Sequence, residues 1–279
     1  MKGVKLVKAL LPEANLRKTR LPGADLSGAD LSGATLIEAN LTQAKLAKAR
    51  LVGADLTQAI LNNADLSGAN LTGANLTGAS LTGARLDLAI FGGCTFAHAE
   101  LIGVDLSNSE LASAMFHWAN LSGANLSGSS ISGSDFSGAD LSGALLIKTN
   151  LVGTWLNKTN LAGSNLSAAD LSGASLYAAN LNGVKLNGAN LNGTTLVGAD
   201  LSGADLRGAN LKGAIFWLQD FVDKTNIDND PVITTLNEKE RTALAQDSNL
   251  CGASYDATTQ WSEGFKIPAC VILVKEGGN

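Results

Sequence analysis

The chain is poor in charge, in aromatic side chains and in the residues from which most active sites are built. Of its 279 residues 16% are charged and 5% are aromatic, and there are only two His, three Cys, two Met and four Pro. Three cysteines in a chain of this length exclude a disulfide framework. There is no C-x-x-C, no H-E-x-x-H, no phosphate loop and no G-x-S-x-G, so the common constellations for metal, nucleotide and acyl chemistry are absent. An enzyme is not expected, and neither is a cofactor. No apolar run approaches the ~18 residues of a spanning helix, which points away from a membrane. The opening MKGVKLVKALLPEANL breaks at Pro12 before a signal-peptide core develops, so the expected location is the cytoplasm.

What the chain has in abundance is a period of five. From Leu11 to Phe221 every fifth residue is apolar: 36 of these 43 positions are Leu, and the others are Phe91, Phe96, Phe116, Ile131, Phe136, Phe216 and Phe221. Two places earlier stands a small residue, usually Ala, with Ser, Thr, Cys94, Val104 and Val184 as exceptions until Gln219. The residue between is often Asp or Asn, and Gly is common two places after the Leu, as in Ala24-Asp25-Leu26-Ser27-Gly28. A five-residue period fits neither a helix nor a flat strand. It fits a chain that turns a corner every five residues, with the small residue and the Leu pointing inward. Gly then falls at the third position of a type II turn, where φ is positive.

Four corners close a square coil of 20 residues, and stacked coils can pair through their backbones at the strand spacing of ~4.8 Å. The expected fold is all-β: a quadrilateral β-helix of nearly eleven coils over residues 1–221, with residues 222–279 as a C-terminal cap. The twenty-residue spacing of Phe96, Phe116 and Phe136 supports four sides, because it stacks bulky side chains in consecutive layers where close packing needs them together.

The unit A-(D/N)-L-X-X over residues 9–221 resembles that of the pentapeptide-repeat family. The resemblance implies a right-handed quadrilateral β-helix. The stretch Tyr255-Asp256-Ala257-Thr258-Thr259-Gln260-Trp261-Ser262-Glu263-Gly264-Phe265 is similar to a tail common among cyanobacterial members. The family's best-defined activity, mimicry of B-DNA by acidic rods that protect or inhibit type II topoisomerases, is one function it could imply. Residues 1–221 carry 16 acidic against 15 basic side chains, and basic residues gather early, at Arg17, Lys18, Arg20, Lys45, Lys48 and Arg50. A phosphate disguise needs strong negative charge, so the sequence departs from that activity. The basic cluster is also too modest, and too far from the aromatics, for nucleic-acid binding. An ice-binding ladder fails as well, since Ile37 and Ala97 flank Thr57 and Thr77 at the same depth.

Beyond the repeat, Asp228-Asn229-Asp230-Pro231 reads as a turn. Thr235 with Glu238 reads as a capping box for a short helix whose apolar face holds Leu236, Ala243 and Leu244. Ser248 to Tyr255 briefly resumes the repeat, and Val271 to Val274 reads as a short strand. Cys251 and Cys270 are either a disulfide latch or two free, buried thiols, and a reducing cytoplasm favours the thiols. Cys94 replaces a core Ala and reads as packing. The first ten residues are compatible with a helix or with the start of the first coil.

One feature rises above the repeat. Sorted by the 20-residue period, the unusual side chains gather on one face: His98, Met115, His117, Trp118, Trp155, Tyr177 and Trp217. Aromatics on a surface of Ser, Asn, Asp and Gly mark contact with something. The candidate partner-binding residues are Met115, His117, Trp118, Trp155 and Tyr177, facing an unidentified protein, a second copy or the chain's own tail. His98 and His117 fall on adjacent coils, but a metal site there lacks a carboxylate to complete it. The repeat Asp residues are expected to be solvated and unperturbed.

Overall fold

The computed structural model describes residues 3–216, 248–261 and 266–274. Parallel bridges join residues twenty apart from Lys5↔Asp25 to Thr195↔Ile215, and a bridging residue recurs at every fifth position. Four ladders therefore run side by side, and the register never slips. The first residues belong to it: Lys5 bridges Asp25, and the Gly3 N–H donates to the Pro22 carbonyl at 3.3 Å. They start the first coil. Among the described residues there is no helix, and the helix expected around Thr235–Leu244 lies outside them.

Each five-residue unit is held in two directions. At the corner the Ala29 N–H donates to the Leu26 carbonyl at 3.0 Å, with Gly28 at φ 65° between them. Between coils, Leu26 and Gly28 donate to the carbonyls of Lys45 and Ala47 at 2.7 and 2.9 Å, and Asp25 donates back to Val4 at 2.8 Å. The corner demands positive φ whatever residue occupies it. Lys148 (φ 56°) and Trp118 (φ 57°) adopt it too, against a left-handed penalty of roughly 1–2 kcal/mol for a residue with Cβ. The ladder on either side over-determines the corner and holds it there.

The preference for Asp or Asn before the Leu has a local cause. The Asp25 carboxylate accepts the Ser27 N–H at 3.2 Å and the Ser27 hydroxyl at 2.7 Å, so the side chain braces the corner that follows. Inward, the Leu and the small residue are sealed, with Leu26 and Ala24 fully buried. Phe96, Phe116 and Phe136 stack in successive coils, with ring centroids 4.7 and 4.5 Å apart and nearly parallel planes. Cys94 is buried, its thiol donating to the Leu71 carbonyl at 2.9 Å, and burial pushes its pKa up to about 12. It packs and does not react.

The ladder loosens between Gly83 and Glu110. Gly83, Leu86, Leu88, Phe91 and Gly93 do not donate to the coil that follows, and Asp105 and Glu110 do not donate back, although Arg85↔Asp105 and Ile90↔Glu110 remain bridged. Phe91 is the cause we assign. Its neighbours twenty residues either way are Leu71 and Leu111, so its ring stacks on no other and meets Phe96 edge-on at 5.6 Å. A larger side chain in a leucine layer holds adjoining backbones apart.

At the other end the tail re-enters the ladder. Asn249, Ser254 and Gln260 bridge Asp200, Asp205 and Asn210, and Leu250 and Ala253 close the core beneath them. Strand β1 (Ser254–Tyr255) pairs in parallel with β2 (Ile272–Leu273). The Ile272 and Val274 N–H groups donate to the carbonyls of Ala253 and Tyr255 at 2.8 and 2.7 Å. Cys251 and Cys270 form a disulfide that links these two layers, and both are exposed, not the buried free thiols that a reducing cytoplasm would favour.

Replacing Phe91 by Leu should close the loosened ladder. Hydrogen exchange at the Leu86, residue-91, Asp105 and Glu110 amides should slow, and unfolding free energy should rise by about 1 kcal/mol. Unchanged exchange at these amides would show that the ring is not what separates the coils.

Candidate functional site

The 20-residue register builds the aromatic face. Thr95, Met115, Asp135, Trp155 and Ser175 follow one another in a single ladder, each bridged to the next. Two places on, His117 and Tyr177 leave the same side, and His98 and Trp118 occupy its corners with φ 58° and 57°. The corner geometry throws these side chains outward. Met115 is 42% exposed and Trp118 60% exposed, while His98 is exposed and Trp155 half-buried.

Tyr177 does not belong to this surface. It is only 3% exposed, and its neighbours one coil either way, Asn157 and Val197, are buried with it. The Tyr177 N–H and the Ser175 hydroxyl both donate to the Asn157 side-chain oxygen, at 3.2 and 2.6 Å. The outward position is thus withdrawn from water, and the tyrosine drops out of the set that a partner could reach. Trp217 lies outside the described residues.

Two residues missing from the sequence reading complete the face. The first is Asp135: its carboxylate lies 2.8 Å from His117 Nε2, so a carboxylate does stand beside one of the two histidines. The signal was present in the 20-residue sort, which puts Asp135 in the ladder between Met115 and Trp155. Among the described residues, no three His, Cys, Asp or Glu side chains converge as metal ligands would. The second is Gly138. A Cβ there would lie 2.5 Å from the Trp118 ring, so the bare glycine backbone is the floor on which the indole lies. The result is an open ledge: Trp118 flat on Gly138, His117 turned to Asp135, Met115 and Trp155 alongside.

Four of the repeat carboxylates are not free bases. Serine hydroxyls and N–H groups hold Asp25, Asp30 and Asp65 below the usual carboxylate range, and Asp65 also feels Arg85. They are perturbed, contrary to the expectation from composition, but downward, and a carboxyl that stays ionised is a poor proton acceptor. Asp205 is lowered furthest, to about 2, by the Arg207 guanidinium and then by Asn187. Arg207 donates to both of its oxygens, from Nε at 2.8 Å and Nη2 at 2.5 Å.

The class of protein is now defined: a parallel β-solenoid in which every five residues form one side. The family described as pentapeptide repeats matches in overlapping or adjoining stretches that begin with 1–36 and end with 179–217. The chain belongs to the pentapeptide-repeat family. Among solved structures it is similar to HetL, a pentapeptide repeat protein involved in heterocyst differentiation regulation from the cyanobacterium Nostoc sp. strain PCC 7120. Identity is 31% over 86% of this chain and 89% of that one, with a TM-score of 0.48. A trypsin-treated form of QnrB1, a plasmid-mediated fluoroquinolone resistance protein, is 26% identical over 67% of this chain and 91% of its own, with a TM-score of 0.40. A pentapeptide repeat protein of the Arabidopsis thaliana thylakoid lumen is 30% identical over 40% and 70%, with a TM-score of 0.26. Among curated proteins nothing matches.

Two measurements follow from this geometry. Gly138→Ala forces the indole off its floor and places Cβ at φ 71°. Stability should fall by about 1–2 kcal/mol, and Trp118 emission should shift red, read in a variant retaining that tryptophan alone. An unmoved spectrum would mean that the ring does not rest there. Folding lowers the Asp205 pKa below the ~3.9 of an unfolded aspartate, so its stabilisation is complete above about pH 4. It is lost as the pH falls toward 2. Asp205→Asn should therefore melt below wild type at pH 6, by up to about 1 kcal/mol after screening, and alongside it near pH 2.

Proposed function

We propose that this protein is a non-enzymatic scaffold: a right-handed, four-sided β-helical rod of nearly eleven coils that acts in the cytoplasm and holds a protein partner on its aromatic ledge. The binding residues in this reading are Met115, His117, Trp118 and Trp155. The observation that carries it is the 60% exposure of Trp118, an aromatic placed flat and open on an otherwise small and polar surface. Exposed aromatics of this kind supply large contact area at low entropic cost and dominate binding energy at interfaces. The His117–Asp135 pair adds a polar rim beside it.

The other family reading, a DNA mimic acting on a type II topoisomerase, gains no support from the charge. Residues 1–221 are nearly balanced, at 16 acidic against 15 basic. Several of the acidic groups are moreover tied to their own repeat neighbours, as Asp25 is to Ser27.

The test is a pull-down from cyanobacterial lysate with wild type and with Trp118→Ser/Trp155→Ser. A partner held by wild type should be lost, with affinity down on the order of a hundredfold, while the melting temperature stays within a few degrees because both side chains leave the core. Retention of the same partner by the double variant would sink the reading. Unfolding of the variant would show that the tryptophans serve the rod itself.

A further inference from the structure

Charge along the rod is nearly balanced in total but segregated in place. Residues 1–85 hold ten Lys and Arg against six Asp and Glu, and residues 148–221 hold five against four. Residues 86–147 hold six Asp and Glu and neither a Lys nor an Arg. These are the coils that carry Met115, His117 and Trp118, so the ledge sits in the most acidic stretch of a near-neutral rod.

Carboxylates stand on both sides of the corner that Trp118 occupies. Asp135 and Asp140 flank Gly138 in the coil above, and Glu100 lies one coil below, bridged to Asn120 as Asn120 is to Asp140. Hydrogen bonds hold each in place. The Ser137 N–H donates to Asp135 at 2.8 Å, and the Ser142 N–H and Asn160 amide donate to Asp140 at 2.9 and 3.0 Å. The Asn120 amide donates to Glu100 at 3.2 Å. Among the described residues none of the three pairs with a Lys or Arg, and the one ion-pair contact is His117 with Asp135. Against them the same corner column offers one lysine, Lys158, two coils on from Trp118. The indole rests one face on Gly138, and its 60% exposure leaves the other face in solvent.

We infer that the ledge takes an arginine side chain of the partner protein, its guanidinium stacked on the open face of Trp118. This rests on the reading of the ledge as a partner site and names the group it selects. A guanidinium is attracted to the face of an indole, and its in-plane N–H groups then point sideways, toward carboxylates on either flank. A lysine ammonium is a point charge and cannot lie flat and reach both flanks at once. Met115 and Trp155, either side of Asp135 in one ladder, give cover to apolar side chains beside the arginine. A second copy of this chain is the poorer donor. Arg17, Arg50, Arg85 and Arg207 are each already paired with a carboxylate of their own chain.

The probe is a fluorescein-labelled peptide, Gly-Ser-Leu-Arg-Leu-Ser-Gly, with counterparts carrying Lys or citrulline, the neutral isostere, in place of Arg. Anisotropy is the readout. Wild type should bind the Arg peptide on the order of tenfold tighter than the citrulline one and severalfold tighter than the Lys one, more weakly as salt rises. Trp118→Ser should weaken it on the order of tenfold, and Asp135→Asn on the order of fivefold. Asp55→Asn, which removes the same charge four coils away in the same ladder, should change nothing. These side chains leave the core, so circular dichroism should match wild type throughout. Equal binding of the Arg and citrulline peptides, or Arg-peptide binding indifferent to Trp118→Ser, overturns the inference. So does concentration-dependent dimerisation lost in Trp118→Ser, which would make a second copy the occupant. A lysate partner lost from Trp118→Ser/Trp155→Ser while no Arg peptide binds overturns the arginine alone and leaves the ledge reading standing. A lysate partner retained by that double variant removes both.

Discussion

Three backbone hydrogen bonds in every five residues tie each coil to its neighbours, and the rest of the molecule follows from keeping them. They fix the advance at twenty residues. Once it is fixed, any two side chains twenty apart must lie one over the other, which is why leucines form columns and Phe96, Phe116 and Phe136 stack face to face. The same constraint explains the lapse around Phe91. Phe91 has no ring above or below it, and the ladder on that side gives way before the buried side chain does. Packing at interior density tolerates little excess volume, and hydrogen bonds at an exposed ladder are the softer of the two.

The interior of the described solenoid is filled by its own side chains, so the function proposed above rests on what the corners display. Most corners carry Gly, Ser, Asn or Lys, and a partner would find little there to bury. Trp118 and Leu88 are exceptions, and Trp118 is at home because the residue twenty places on has no side chain at all. A bulky corner residue and a vacant one above it make a shelf.

Much of this was legible in the sequence, for a physical reason. A period of five with an unbroken apolar column leaves few ways to fold, so the 20-residue register and the stacking of the Phe column could be read directly. What could not be read depended on contacts the period does not encode. Tyr177 occupies an outward position by number and yet is buried together with Asn157 and Val197. Asp135 looked like one more repeat aspartate until its distance to His117 was known. Cys251 and Cys270 are nineteen residues apart, and nothing in that interval announces that the chain returns to lay β2 over β1. Side-chain direction followed from periodicity; cover and pairing did not.

The disulfide near the C-terminal end also gives the rod a mechanical polarity. In a solenoid each coil leans only on its neighbours, so unravelling spreads from whichever end opens first. Here Cys251 and Cys270 rivet the last described layers together. Pulled along its length, the chain would unwind coil by coil like thread from a spool. It would give way most readily at the loosened layer beneath Asp105 and yield its riveted end last.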